Sequence, residues 1–223
     1  MTRFVTTVFL CSTALLTGAQ DDSSEVAIAR RARDHADVET LRKTIDAARG
    51  PAGQKNNPAS FERLALYNLW LCEAGHAQDN NKLIKQAAED GLAAAEAAVA
   101  LNPNSSEAHR LLGDLLGELI PRVFAGGARY GRRSVSELEK AIELDPRNAN
   151  ACIARAVSYF YTPAMFGGSR EKAVDMLKKA VGIDPSSDST RIWLAQVYLA
   201  AGQRDDALRE VKEALRQIGR AHV

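Results

Sequence analysis

The chain has 223 residues, 46% of them hydrophobic and 6% aromatic, with a formal net charge of +1. A length of this order holds one or two domains with a sizeable core. With 29 Lys+Arg against 28 Asp+Glu and no basic stripe, nucleic acid is excluded as the expected partner.

Abundant alanine, only 7 prolines and no run of alternating apolar and polar residues predict an all-helical fold. Residues 1–19 read as a signal peptide. Arg3 supplies the positive start, Phe4 to Leu16 is an apolar run, and small residues flank Gly18. The run is shorter than a membrane span needs. The expected location is therefore exported, periplasmic or extracellular. Leu10 precedes Cys11 where a lipoprotein signal needs a small residue, so no lipid anchor is expected. Cys72 and Cys152 remain. The repeat register described below sets them two repeats apart, beyond the roughly 7 Å Cα reach of a disulfide, and both are expected as small buried side chains.

Residues 20–58 are expected to hold a helix pair over 24–49 and a linker. Leu41, Ile45 and Ala48 share one helical face, and Gly50-Pro51-Ala52-Gly53 is expected to break the chain. From 59 to 218 the sequence repeats itself. Gly91, Ala95, Ala98 and Pro103 recur as Ser134, Leu138, Ala141 and Pro146, then as Ala173, Leu177, Ala180 and Pro185. A fourth copy, Ala207, Val211 and Ala214, lacks the proline. Spacings of four and three put these residues on one face of a helix, which proline then stops. Partner helices lie upstream, with Leu112-Gly113 and Leu116 in one copy and Leu194-Ala195 and Tyr198 in another. The repeats span about 59–103, 106–146, 149–185 and 188–218.

This pattern resembles the tetratricopeptide-repeat (TPR) family. The resemblance implies an all-α, TPR-type α-solenoid of about five antiparallel helix pairs, ten helices in all, held together by contacts between neighbours. The period departs from the family's 34 residues: the prolines stand 43 and 39 apart. The extra residues are placed between the two helices of a repeat, around 74–82, 119–132 and 162–169. Two of these insertions are alike. Pro121, Phe124, Gly126-Gly127 and Arg129 match Pro163, Phe166, Gly167-Gly168 and Arg170. The glycines are free to take positive φ and reverse the chain. Two readings of Phe124 and Phe166 stand open. Each ring plugs the gap between its own two helices, worth about 1.5–3 kcal/mol, or both loops project on one edge and wall a pocket. The glycine-pair loop and adjoining repeat, Phe166 to Pro185, look like those of exported bacterial TPR proteins. Among these are accessory components of tripartite periplasmic transporters and helical proteins similar to regulators of microtubule dynamics.

His35, His76, His109 and His222 show no metal-ligand spacing. His109 occupies the slot where a TPR first helix usually carries tryptophan, so a packing role is expected. No nucleophile elbow, phosphate loop or zinc-protease motif appears. No catalysis, cofactor or metal is expected. The resemblance implies a binding groove lined by first helices. Its residues here are Ile153, Val157, Phe160 and Tyr161 in the third copy and Ile192, Gln196 and Leu199 in the fourth; the second copy offers Arg110 and Asp114. The basic and asparagine clamp for a C-terminal carboxylate is missing. The expected partner is a protein, as peptide or helix, met by this apolar stripe. The alternative is a small apolar ligand held between the groove and the Phe124, Phe166, Gly167 and Gly168 loops. The stripe is also open to being covered by the protein's own loops. Arg155 falls in a leucine slot, so it needs Asp114 or Glu118 as partner or a register shift that exposes it. On the last helix pair Val197, Leu208 and Ile218 leave apolar surface for a second subunit or a partner, unless charged neighbours solvate it.

Overall fold

The computed structural model describes residues 24–55 and 57–221, and side chains over 25–50 and 57–217. The expected signal peptide and the side chain of Ile218 lie outside the described residues. Ten α-helices follow in order, with no strand among the described residues: α1 (Ser24–Asp34), α2 (Val38–Lys55), α3 (Pro58–Ala77), α4 (Asn81–Leu101), α5 (Ser106–Leu119), α6 (Arg132–Leu144), α7 (Ala149–Tyr161), α8 (Arg170–Ile183), α9 (Asp188–Ala200) and α10 (Arg204–Ala221). Short helical turns sit in two connections, at Ile120–Arg122 and Gly127–Gly131 before α6, and at Ala164–Phe166 before α8. Chain neighbours pack as antiparallel pairs. The described chain forms two compact units, one ending at Leu144 with α1–α6 and one beginning at Asp145 with α7–α10.

The connections between repeats share one construction. Asn102, Asp145 and Asp184 each precede proline, and each side-chain oxygen accepts the amide two residues on, from Asn104, Arg147 and Ser186. Three residues on, Ser105, Asn148 and Ser187 accept the amides of Ala108, Ala151 and Thr190. Proline presets the turn, the aspartate or asparagine side chain closes it, and the next polar residue caps the following helix, worth about 1 kcal/mol.

The repeat positions read from the sequence are the buried face of the second helices. In α4, α6 and α8 every one of them is buried, including Ala98, Leu138, Ala141, Leu177 and Ala180. Ser134 fits because its hydroxyl donates to the Gly113 carbonyl at 2.7 Å. In α10, Ala207 and Ala214 are buried but Val211 is 39% exposed.

Two expectations need correction. Gly50-Pro51 does not break the chain, because α2 runs on to Lys55. Proline lacks an amide, so its cost falls near one rung of the ladder, and Leu41, Ile45 and Ala48 have already anchored the preceding turns in the core. The first copy has no inserted loop either. Its extra residues lengthen both helices, to 20 in α3 and 21 in α4 against 13 in α7 and 14 in α8. Added turns at facing ends keep an antiparallel pair in contact. The link is only Gln78–Asn80, where Asp79 takes φ 51° and the Asn80 amide donates to the Gly75 carbonyl at 2.9 Å.

Candidate functional site

In the second unit, α7 and α9 are the first helices of their pairs. Ile153, Val157 and Phe160 are half-buried and pack against a core of Ala156, Leu177, Trp193, Leu194, Val197 and Tyr198. Ile192 and Gln196 are half-buried on α9. The C-terminal ends differ. Tyr161 is 48% and Leu199 56% exposed. The Tyr161 ring stands edge-on to Phe160 at 5.0 Å. The loop after α7 does not fold back over this end, since Met165 is 83% and Phe166 71% exposed. The predicted stripe therefore divides into a packed base and an open apolar end.

Neither phenylalanine plugs its repeat. Phe124 is 99% exposed, so the core reading fails for both rings. The reason lies in the backbone one and two residues later. Ala125 and Gly167, each directly after the phenylalanine, take φ 55° and 94°. That turn swings the ring outward. The next residue, Gly126 or Gly168, lies against the carbonyl six residues earlier, of Ile120 or Thr162, leaving no room for a Cβ. Glycine is thus required for close approach at Gly126 and Gly168, and for positive φ only at Gly167. The two loops correspond through these residues, one place off the match of glycine pairs. Gly126→Ala or Gly168→Ala is expected to cost about 1–3 kcal/mol. Gly127→Ala, with open space around it, should stay within about 0.5 kcal/mol. Denaturant melts would check this, and equal costs at 127 and 168 would refute it.

Arg155 is buried, which removes the register-shift reading. Its guanidinium lies 3.7 Å from the Tyr159 ring centroid and donates to the Ser158 hydroxyl at 3.3 Å. The expected acids have other contacts. Asp114 is held by Arg110 at 2.6 Å, and Glu118 by His76 at 2.8 Å and Arg122 at 3.1 Å.

In the first unit a charge ladder runs along α1, α3 and α5, with Arg33 and Arg110 buried and Glu73, Glu107 and Asp114 half-buried. Arg33 lies 4.0 Å from Glu73 and over the Trp70 ring. Arg110 donates to both Glu107 and Asp114, so the two groups expected to face a ligand face each other. Burial pushes Glu73 up to about 8, against the pull of Arg33. Burial likewise lifts Asp114 to about 6 despite Arg110. His109 is buried as expected, with Nδ1 2.6 Å from Glu137 and Nε2 2.9 Å from the Pro103 carbonyl. Cys72 and Cys152 are buried and free.

One cleft was missed by sequence reasoning. Residues of α2, α3 and α4 line adjoining spaces of about 480 and 310 Å³, sharing Arg49, Asn68 and Asp90. The signal was faint, because these residues come from three helices and no repeat position marks them.

Comparison with known proteins agrees with this architecture. Residues 168–222 match the family model described as tetratricopeptide repeat. No curated protein sequence matches the chain. Among solved structures, a thermophilic TPR protein of Thermus thermophilus aligns over 86% of this chain and 91% of its own, with 21% identity and a TM-score of 0.61. The HusA haemophore of Porphyromonas gingivalis aligns over 82% and 96%, with 18% identity and a TM-score of 0.62. MamA of Desulfovibrio magneticus aligns over 90% and 97%, with 14% identity and a TM-score of 0.51. At these identities the likeness shows the fold, and the fold class is the TPR-type helical scaffold. The tight turn between α9 and α10 lies at Gly202, φ 79°, as the sequence predicts.

Proposed function

We propose that the chain is a non-enzymatic TPR scaffold of the cell envelope that binds a protein partner through the first helices of its second unit. The site comprises Ile153, Val157, Phe160 and Tyr161 on α7 and Ile192, Gln196 and Leu199 on α9. The observation that carries it is that the α7 and α9 stripe, half-buried against the core along its base, ends in two exposed apolar residues, Tyr161 and Leu199. Exposed apolar groups concentrated at one place mark interaction sites more often than scattered ones do. Envelope location is supported by the charged, apolar and small-residue order of residues 1–19.

The partner best suited is an amphipathic helix or extended peptide presenting apolar side chains. Tyr161→Glu and Leu199→Glu place charge where the ligand's apolar atoms would sit. Each is expected to abolish capture of the partner from envelope extract with little change in melting temperature. Capture unaffected by both substitutions would overturn this reading of the site.

A further inference from the structure

We propose that the loop between α5 and α6 docks the protein onto an anionic lipid surface, separately from the α7 and α9 site. From Leu119 to Ser136 the sequence carries Arg122, Arg129, Arg132 and Arg133 and no acidic residue. Arg122 and Arg133 turn back to Glu118 and to Glu96 and Glu137, while Arg129 and Arg132 are exposed at the loop's edge. Between them and the Pro121 turn projects Phe124, almost wholly in solvent.

The projection is built rather than slack. Val123 and Tyr130 pack down onto the core of the first unit. The Gly126 amide donates to the Val123 carbonyl at 2.9 Å and the Arg129 amide to that of Ala125 at 3.0 Å. Ala125 holds a positive φ that is unfavourable for alanine, and Gly126 is wedged against the Ile120 carbonyl. The loop thus accepts strain to keep an apolar ring outside the protein.

A single projecting ring needs a deep, matching pocket to bind a protein. A bilayer demands no shape: the ring enters the acyl boundary while flanking arginines meet the headgroups. Charge of one sign beside the ring selects anionic lipid. Among the described residues no helix is long and apolar enough to cross a membrane, so the contact is a surface one.

The test uses the full chain carrying Phe124→Trp, with vesicles of phosphatidylcholine alone or mixed with phosphatidylglycerol. Trp70 and Trp193 are buried, so the added indole dominates any change. Its emission should move to shorter wavelength with the mixed vesicles, fade as salt rises and stay put with phosphatidylcholine alone. Phe124→Ser should weaken co-sedimentation about tenfold, the cost of one unburied ring, without altering the melt. Arg129→Glu with Arg132→Glu should weaken it too. Unmoved emission while the protein co-sediments, equal response to neutral vesicles, or no binding at all would each overturn the proposal.

Discussion

Leu177→Ala is expected to destabilise the second unit by about 2–5 kcal/mol, whereas Val211→Ala should cost under about 1 kcal/mol. Both residues hold the same position of the repeat, four after Ala173 and Ala207. Leu177 on α8 is buried between its own pair and α9, among Ala156, Val174, Trp193 and Leu194. Truncating it removes transfer energy and leaves a void that stiff helices close poorly. Val211 on α10 is 39% exposed, with Leu208 and Leu215 exposed on the same side. Little contact is there to lose. Leu138 on α6, also buried, should behave like Leu177. Urea titrations of the three variants would check the order. A Val211→Ala cost equal to that of Leu177→Ala would show that α10 is covered in solution.

Stability of the first unit should fall as pH rises from about 5 to about 8 and then level off. Glu73, raised from 4.5 to about 8 chiefly by burial, keeps its proton in the folded unit where the unfolded chain has lost it. Between those values the native state binds the extra proton, so each pH unit favours unfolding by up to about 1.4 kcal/mol. Asp114, lifted from 3.8 to about 6, adds to the same trend at the acid end. The total across the window is on the order of a few kcal/mol. Glu73→Gln keeps the shape, removes the ionisation and should flatten the slope, leaving the variant more stable than the parent at pH 8. Melts of parent and variant at pH 5, 6.5 and 8 would check it. Stability rising with pH in the parent would mean that Arg33 outweighs burial at Glu73.

Much of the helical framework was legible because it obeys a period. Ala98, Ala141 and Ala180 recur where helices approach most closely, and every one is fully buried. The asparagine, aspartate and proline turns announce each new repeat. The loops were legible only in part. Pro121 and Pro163 correctly end first helices, but whether Phe124 points in or out depends on the φ of Ala125, and alanine gives no warning of a left-handed conformation. The long α3 and α4 pair was misread as an insertion because added turns and an added loop lengthen a repeat equally. The charge ladder was hidden for a different reason. Arg110 and Asp114 read as groove residues and Glu73 carries no sequence signal, and only the stacking of α1, α3 and α5 brings the three out of solvent. On α7 the spacing of Ile153, Val157 and Tyr161 identifies one face, yet core and open end share that face. Burial therefore divides it where periodicity cannot.

Site-specific photo-crosslinking at position 199 tests the binding role most directly. Leu199 lies at the open end of α9 and can be replaced by a photo-reactive phenylalanine analogue without disturbing the core. Irradiated in its native host, the chain should join one discrete protein partner. The Tyr161→Glu substitution should abolish that adduct, and the same label at exposed Arg209 on α10 should not form it. A diffuse set of adducts, or one formed equally from both positions and indifferent to Tyr161→Glu, would contradict a partner bound between α7 and α9.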